Sequence, residues 1–343
     1  MSGRRALWCA LLWFAGLAAA PAHALDRSQL AVIINTRDPL SVAIGGYYAA
    51  KRSLSFQNII KVEFNPGGAN LSAKEFEVIK AAVERQTRPA VQAYALTWAA
   101  PYRVDCMSIT AAFAFGFDAA YCADGCKATQ PSPLFNSPSR LPFTQHGVRP
   151  TMALAARSID YARALIDRGV EADSSMAVGS AYLLSTSDAA RNVRHVLYPA
   201  FEAAFRKHIN VQQLKQDSLH NVKDVLFYFT GRAQVDGLET LGFVPGAVAD
   251  HLTSAGGMLT DSPQMSALRW LEAGATGSYG TVVEPCNLLQ KFPHPAILAE
   301  HYLRGETLIE AYWKSVLMPG QGIFIGEPLA APFRPRRNGA RRE

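Results

Sequence analysis

Apolar and polar positions follow two rhythms along this chain, and their order predicts the architecture. Leu30–Asn35 (LAVIIN) is apolar on both faces, the pattern of a strand inside a covered sheet. Asp38 and Pro39 open a helix to about Arg52, with Asp38 as the cap and proline in the first turn. Residues 59–64 predict a second strand. Ser72, followed three residues later by Glu75, forms a capping box that starts a helix through about Gln86, and residues 91–98 predict a third strand. Parallel neighbours need crossover connections, so this β-α-β-α-β order predicts a mostly parallel sheet with helices on both faces.

The alternation resumes after residue 150. A helix is expected from Ser158 to about Arg168 and a strand over 181–185. A long amphipathic helix should follow Asp188, kinked or broken at Pro199. Val225–Thr230 (VLFYFT) reads as the clearest buried strand of the chain. Beyond it the pattern predicts a helix over 263–273, a strand over 275–281, helices near 295–304 and 306–316, and a closing strand over 322–325. Between 119 and 150 the rhythm lapses: Pro131, Pro133, Pro138, Pro142 and Pro150 punctuate a stretch holding two cysteines. A loop this long in a compact chain predicts an ordered surface insertion, placed at 120–150. The expected fold class is therefore α/β, one domain over 25–333 with a Pro/Cys-rich insertion.

Composition sharpens this in two ways. Charged residues are only 18% of the 343 and hydrophobic ones 49%, which excludes global disorder. No apolar run of about 18 or more follows residue 24, which excludes a polytopic membrane protein and predicts a chain that does not span a membrane. The net charge of +6 suggests nucleic acid until it is located. Arg4 and Arg5 carry two of those charges, and the Arg-rich 334–343 segment, read as a disordered tail, carries a net four. The body is neutral and offers no basic stripe, so nucleic acid is not an expected partner.

Residues 1–24 have the three parts of a secretory signal: the Arg4-Arg5 pair, an apolar core over 6–20, and the small-x-small site Ala22-His23-Ala24. Cleavage is expected after Ala24, leaving a mature chain that begins at Leu25 in the periplasm or outside the cell. Four cysteines then remain, and an even count in an oxidising compartment predicts disulfides rather than metal ligation. Cys122 and Cys126 flank a short turn and are the expected pair. Cys106 with either of them is the rival, and Cys286 is left free or joined at long range.

Ligands in open α/β sheets bind beyond the carboxyl ends of the strands. Three such places define the search: the 36–38 turn, the loop after Val225–Thr230, and residues 282–295. The second offers Arg232, Gln234 and Asp236 for binding, without a phosphate loop or a GxGxxG turn. Asp250 and His251, expected on or near a helix after Pro245, are followed three residues on by Ser254, a further candidate binding residue. His251 is a candidate base because imidazole titrates near neutrality. Glu284 and Cys286 follow a predicted strand, and a thiol there becomes a nucleophile where an imidazole such as His251, His294 or His301 lowers its pKa. His294 is also a candidate binding residue. There is no HExxH, CxxC or GxSxG, so no metal or cofactor is expected and an α/β-hydrolase elbow is missing.

Several segments resemble a family of uncharacterised exported bacterial proteins: DPLSVAIGGYYAAKR at 38–52, QNII at 57–60, GFVPGAVADHLTSAGG at 242–257, ALRWLEAGATGSYGT at 267–281, ETLIEAYWKS at 306–315 and GIFIGEPLAAPF at 322–333. That resemblance implies no reaction. More remotely, the C-terminal order is similar to gingipain-type cysteine peptidases, which implies a caspase-like fold. Those enzymes place a His after one buried strand and a Cys after the next, and end on a "GDP" segment. Here the first loop reads Gly231-Arg232-Ala233, residues 246–257 hold no Cys, and the closing segment is Gly326-Glu327-Pro328. The peptidase dyad is absent from its places.

The leading expectation is thus an exported non-peptidase α/β protein that binds a polar ligand or an envelope component in a groove bounded by 231–236, 250–254 and Glu284. The alternative is a hydrolase using His251 or His294 with Cys286, or Asp250 and Glu284 as an acid–base pair.

Overall fold

The computed structural model describes residues 24–123 and 126–335. The expected leader, apart from Ala24, and the tail beyond residue 335 lie outside the described residues. The thirteen described strands are β1 Leu30–Asn35, β2 Ile59–Val62, β3 Asn70–Leu71, β4 Ala93–Leu96, β5 Arg103–Val104, β6 Met107–Ser108, β7 Thr151–Ala153, β8 Ser180–Ser185, β9 Asn210–Lys215, β10 Val225–Thr230, β11 Phe243–His251, β12 Gly277–Thr281 and β13 Gly322–Gly326. The nine described helices are α1 Pro39–Lys51, α2 Ala73–Gln86, α3 Ile109–Phe115, α4 Pro142–His146, α5 Ile159–Ala172, α6 Tyr198–Phe205, α7 Leu268–Ala273, α8 Pro295–Leu303 and α9 Leu308–Ser315.

Local chemistry explains the elements that flank the sheet centre. Asp38 accepts the Leu40 N–H at 2.9 Å and starts α1, and the Ser72/Glu75 box starts α2 as its residue types require. In β1, Leu30, Val32 and Ile34 point to one face of the sheet and Ala31 and Ile33 to the other, each into a different apolar cluster. Strand β10 does the same with Phe227 and Phe229 against Val225 and Tyr228. Helices α1, α6, α8 and α9 cover the first face, and α2, α3 and α7 the second. The α/β class with a mostly parallel, doubly covered sheet is what the structure shows.

Ten strands form the large sheet in the order β2-β1-β4-β7-β13-β12-β11-β10-β8-β9, and β3, β5 and β6 form a small second sheet. Every neighbouring pair in the large sheet is parallel except β12–β13. The sheet therefore consists of two five-stranded parallel blocks that run in opposite directions and meet at that pair. The carboxyl ends of β8, β10, β11 and β12 share one edge. The carboxyl ends of β1, β4 and β7 lie at the other, so the 36–38 turn does not join the loops after β10 and β12 in one crevice.

Two further expectations are corrected. The long helix after Asp188 is instead a tight 3-10 turn over Asn192–Leu197 followed by the short α6, because Pro199 sits in the first turn of α6, where its missing N–H costs nothing. Asp250 and His251 end strand β11 and are not helical. Edge strand β9 (NVQQLK) and the three-residue β7 were not anticipated, since neither carries a run of apolar alternation. The 120–150 segment is anchored to the body: Ser132 and Asn136 donate backbone N–H groups to the Leu317 and Lys314 carbonyls, and Leu134 is buried in the core.

The closing Gly326-Glu327-Pro328 segment has a structural role. Glu327 is fully buried and accepts the Arg52 Nε–H at 2.9 Å, tying the end of α1 to the last strand. At the edge holding the carboxyl end of β12, Gly280 touches the backbone of Gly256 and Gly257 so closely that a Cβ would collide with it. Gly280→Ala is expected to cost about 1–3 kcal/mol through overpacking, read as a lower urea midpoint at unchanged slope.

Candidate functional site

The loops after β10 and β11 gather a cluster of polar groups at their edge of the sheet. At its base lies an ion pair that is almost inaccessible to water. Arg194 in the 192–197 turn and Asp250 at the end of β11 are each 1% exposed, with Arg194 Nη2 2.5 Å from Asp250 Oδ1. The same nitrogen donates to the Thr230 carbonyl at 3.1 Å and the Asp250 carbonyl at 3.3 Å, and the guanidinium lies over the Phe229 ring at 5.1 Å. Burial works against the Arg194 charge, but the adjacent Asp250 carboxylate overrides it and raises the guanidinium pKa. Burial also pushes the Asp250 carboxyl up, with Arg194 pulling it down. Asp250 is therefore a partner that fixes β10 and β11 to the 192–197 turn.

His251 is buried and engaged at both ring nitrogens. Its Nδ1 accepts the Trp270 indole N–H at 2.9 Å, and its Nε2 lies 3.0 Å from the Met265 carbonyl. An imidazole that accepts at Nδ1 and donates at Nε2 is neutral and has no free lone pair to act as a base. Burial lowers its pKa from 6.5 to about 4, with the Met265 bond acting in the opposite sense and Arg194 and Arg191 reinforcing the fall.

Cys286 carries no thiol, because it is bonded to Cys126, and Cys106 is bonded to Cys122. The expected Cys122–Cys126 pair is thus replaced by its rival, with Cys286 joined at long range. Folding brings Cys126 within a Cα–Cα distance of 5.1 Å of a residue 160 positions away, a proximity no local spacing encodes. The cysteine hydrolase expectation falls with this bond. The Asp250/Glu284 acid–base pair fails as well: Asp250 is sealed against Arg194, whereas Glu284 is exposed and accepts the Cys286 N–H at 2.7 Å.

The binding candidates divide. Gln234 and Asp236 line an open groove of about 550 Å³ whose other walls are Arg157, residues 259–266 and Arg269. Gln264 connects this groove to the strand ends. Its Oε1 accepts Thr253 Oγ1 at 2.6 Å and the Ala255 N–H at 2.8 Å, while Thr253 accepts from Arg191 Nε at 3.1 Å and Arg191 pairs with Asp188. On the far wall Arg157 and Arg269 lie 3.3 and 3.1 Å from the two oxygens of Glu272. Arg232 instead pairs with Asp217 and does not line the groove. Ser254 contributes its carbonyl to Thr281 Oγ1 at 3.0 Å. His294 caps α8, its Nδ1 accepting the Ile297 N–H at 3.4 Å, and burial lowers its pKa.

Two residues escaped the sequence reading. Arg194 is buried while Val196, two positions on, is 59% exposed, so the apolar rhythm of that turn is inverted relative to its burial. Lys291 is fully buried in the turn after β12, with no hydrogen-bond partner for its ammonium, and burial pushes its pKa down while Glu284 pulls it up. Among the described residues no cluster of His, Cys, Asp and Glu is placed to hold a metal, and no helix is long and apolar enough to cross a membrane. A larger cavity of about 960 Å³ opens at the start of β8, lined mainly by apolar groups such as Met176, Val178 and Phe205.

Neither a family model nor a curated protein sequence matches the chain. Among solved structures it is similar to the complex of Porphyromonas gingivalis RgpB pro- and mature domains, with a TM-score of 0.49 and 8% identity over 89% of this chain and 80% of that chain.

Two outcomes are expected. Alkylation of the native protein labels none of Cys106, Cys122, Cys126 and Cys286, and non-reducing peptide mapping recovers the 106–122 and 126–286 links. For His251, the unfolded imidazole takes up its proton near pH 6.5 and the folded one only near pH 4, so the unfolded state binds more protons across that window and stability falls as pH drops through it. Urea titrations from about pH 7 to about pH 4.5 should show the stability gap between wild type and His251→Gln narrowing by roughly 2–3 kcal/mol.

Proposed function

We propose that this chain is an exported binding protein whose ligand site is the polar groove between residues 234–239 and 259–269. The observation that carries this reading is how the chemical groups are divided. The candidate base, acid and thiol at the strand ends are all engaged internally: His251 by Trp270 and Met265, Asp250 by Arg194, and Cys286 by Cys126. The groove beside them is open and lined by amides, hydroxyls and charges of both signs, with Gln234, Asp236 and Glu239 exposed. Groups that face inward hold a fold together, and exposed polar groups converging on a concavity recognise ligands.

The mixture of side-chain amides, Ser262, Ser266, two acids and two arginines suits a ligand rich in hydroxyl and amide groups and of low net charge. An envelope glycan or glycopeptide has that chemistry. The export reading is supported by two disulfides, which persist in oxidising compartments, and by the leader pattern of residues 1–24. The unit that would be exported is a single α/β domain over 25–333, followed by the Arg-rich tail.

Isothermal titration with soluble disaccharide-peptide fragments of bacterial cell wall tests this. Binding without turnover is expected, weakened about tenfold or more by Asp236→Ala and by Gln234→Ala. Unchanged affinity in both variants, or appearance of cleaved fragments, would sink the reading. Gln264 is a poorer choice of test residue, because its loss also releases Thr253 and Ala255.

A further inference from the structure

We propose that removal of the leader between Ala24 and Leu25 creates an α-ammonium that closes onto the buried Glu310 carboxylate, so that the mature amino terminus is the missing cation of the core. The inference rests on the export reading above and adds to it a specific consequence of the cut.

The geometry is already in place around the Leu25 nitrogen. Leu25 is 1% exposed, and its backbone N–H donates to Glu310 Oε2 at 3.1 Å across 285 positions of sequence. Its carbonyl accepts Arg334 Nη2 at 2.6 Å, so both backbone groups of the residue are held by the C-terminal part of the chain. Glu310, in the first turn of α9, is 2% exposed. Its Oε2 also accepts Thr307 N–H at 2.9 Å and Thr307 Oγ1 at 2.6 Å, while its Oε1 is buried with no donor. A peptide N–H offers that carboxylate one proton and no charge. An ammonium at the same position offers three protons and a full charge, enough to serve the orphaned Oε1 as well.

The neighbouring charges leave Glu310 without another partner. Glu306, one turn earlier, engages Lys314 at 2.7 Å, His301 at 3.0 Å and Arg140 at 3.2 Å, and Lys314 also donates to the Ser139 carbonyl at 2.7 Å. Burial raises the Glu310 pKa, Glu306 raises it further, and Lys314 and Thr307 work against them. Two buried carboxylates thus face one buried lysine that is bound to the first of them. An uncompensated buried acid is costly, and a cation supplied at the right place removes that cost. Position is decisive here: adding even one residue ahead of Leu25 moves the ammonium by about 3.8 Å along the chain and restores a neutral amide opposite Glu310.

The test compares chains ending at residue 343 and beginning at Leu25 or at Ala24, each with and without Glu310→Gln. The Leu25 chain is expected to melt about 4 °C or more above the Ala24 chain at neutral pH, and Glu310→Gln should abolish the difference. Equal melting temperatures, or a difference that survives Glu310→Gln, would overturn the pairing. Should Glu310→Gln not fold, reductive methylation of the Leu25 chain decides: the α-amine should react about tenfold more slowly folded than in urea, and equal rates overturn the proposal. Intact mass of the exported protein tests the premise separately. A native amino terminus other than Leu25 overturns the proposal through the export reading, while the melting comparison judges the pairing on its own.

Discussion

The carboxyl edge of the second sheet block depends on the buried Arg194–Asp250 pair. Two charges taken out of water are expensive unless they meet each other, and here one guanidinium nitrogen reaches the Asp250 carboxylate and the carbonyls of Thr230 and Asp250, while Arg194 Nε and Nη1 have no hydrogen-bond partner among the described residues. That arrangement makes the turn over Asn192–Leu197 a clamp across two adjacent strand ends. His251 is fixed against Trp270 and Met265, and Thr253 and Gln264 connect the strand end to the groove. The same constraint that organises the edge removes Asp250 and His251 from chemistry.

A recurring solution in the molecule is the matching of buried charges by partners of opposite sign, with Lys291 and Glu310 as exceptions. Arg52 meets Glu327 between the end of α1 and the closing segment, and Glu306 gathers Lys314, His301 and Arg140 around α9. Each cluster joins parts of the chain far apart in sequence, which is where a directional interaction adds most to a fold whose apolar contacts are not directional. The groove is the counterpart. Its acids Asp236 and Glu239 and the amide of Gln234 remain exposed, and its arginines Arg157 and Arg269 meet Glu272.

Much of the local structure was legible. Strands β1 and β10 have the bounds their apolar runs predict, and α1 and α2 start at the caps that Asp38 and Ser72 supply. These succeed because their determinants are local: two-faced burial, a side-chain oxygen near an orphan N–H, proline where no N–H is needed. β9 failed because a polar strand at a sheet edge has no apolar signature, and Arg194 failed because its turn buries the charge and exposes a valine. Of the candidate binding residues, Gln234 and Asp236 lie on the groove, whereas Arg232, Ser254 and His294 are engaged elsewhere.

By itself the sequence determined the alternation of strands and helices, a sheet covered on both faces, and a neutral body bearing its excess charge at the two ends. Tertiary structure decided the rest. An apolar run reads the same in either direction, so periodicity is silent about the reversal between β12 and β13 that separates the carboxyl ends into two edges. Cysteine spacing is silent about which thiols meet when the chain closes over 160 residues. A histidine or an aspartate likewise has the same letter whether it faces a ligand or a buried partner; only packing, by supplying Trp270 to one and Arg194 to the other, settled what these two residues do.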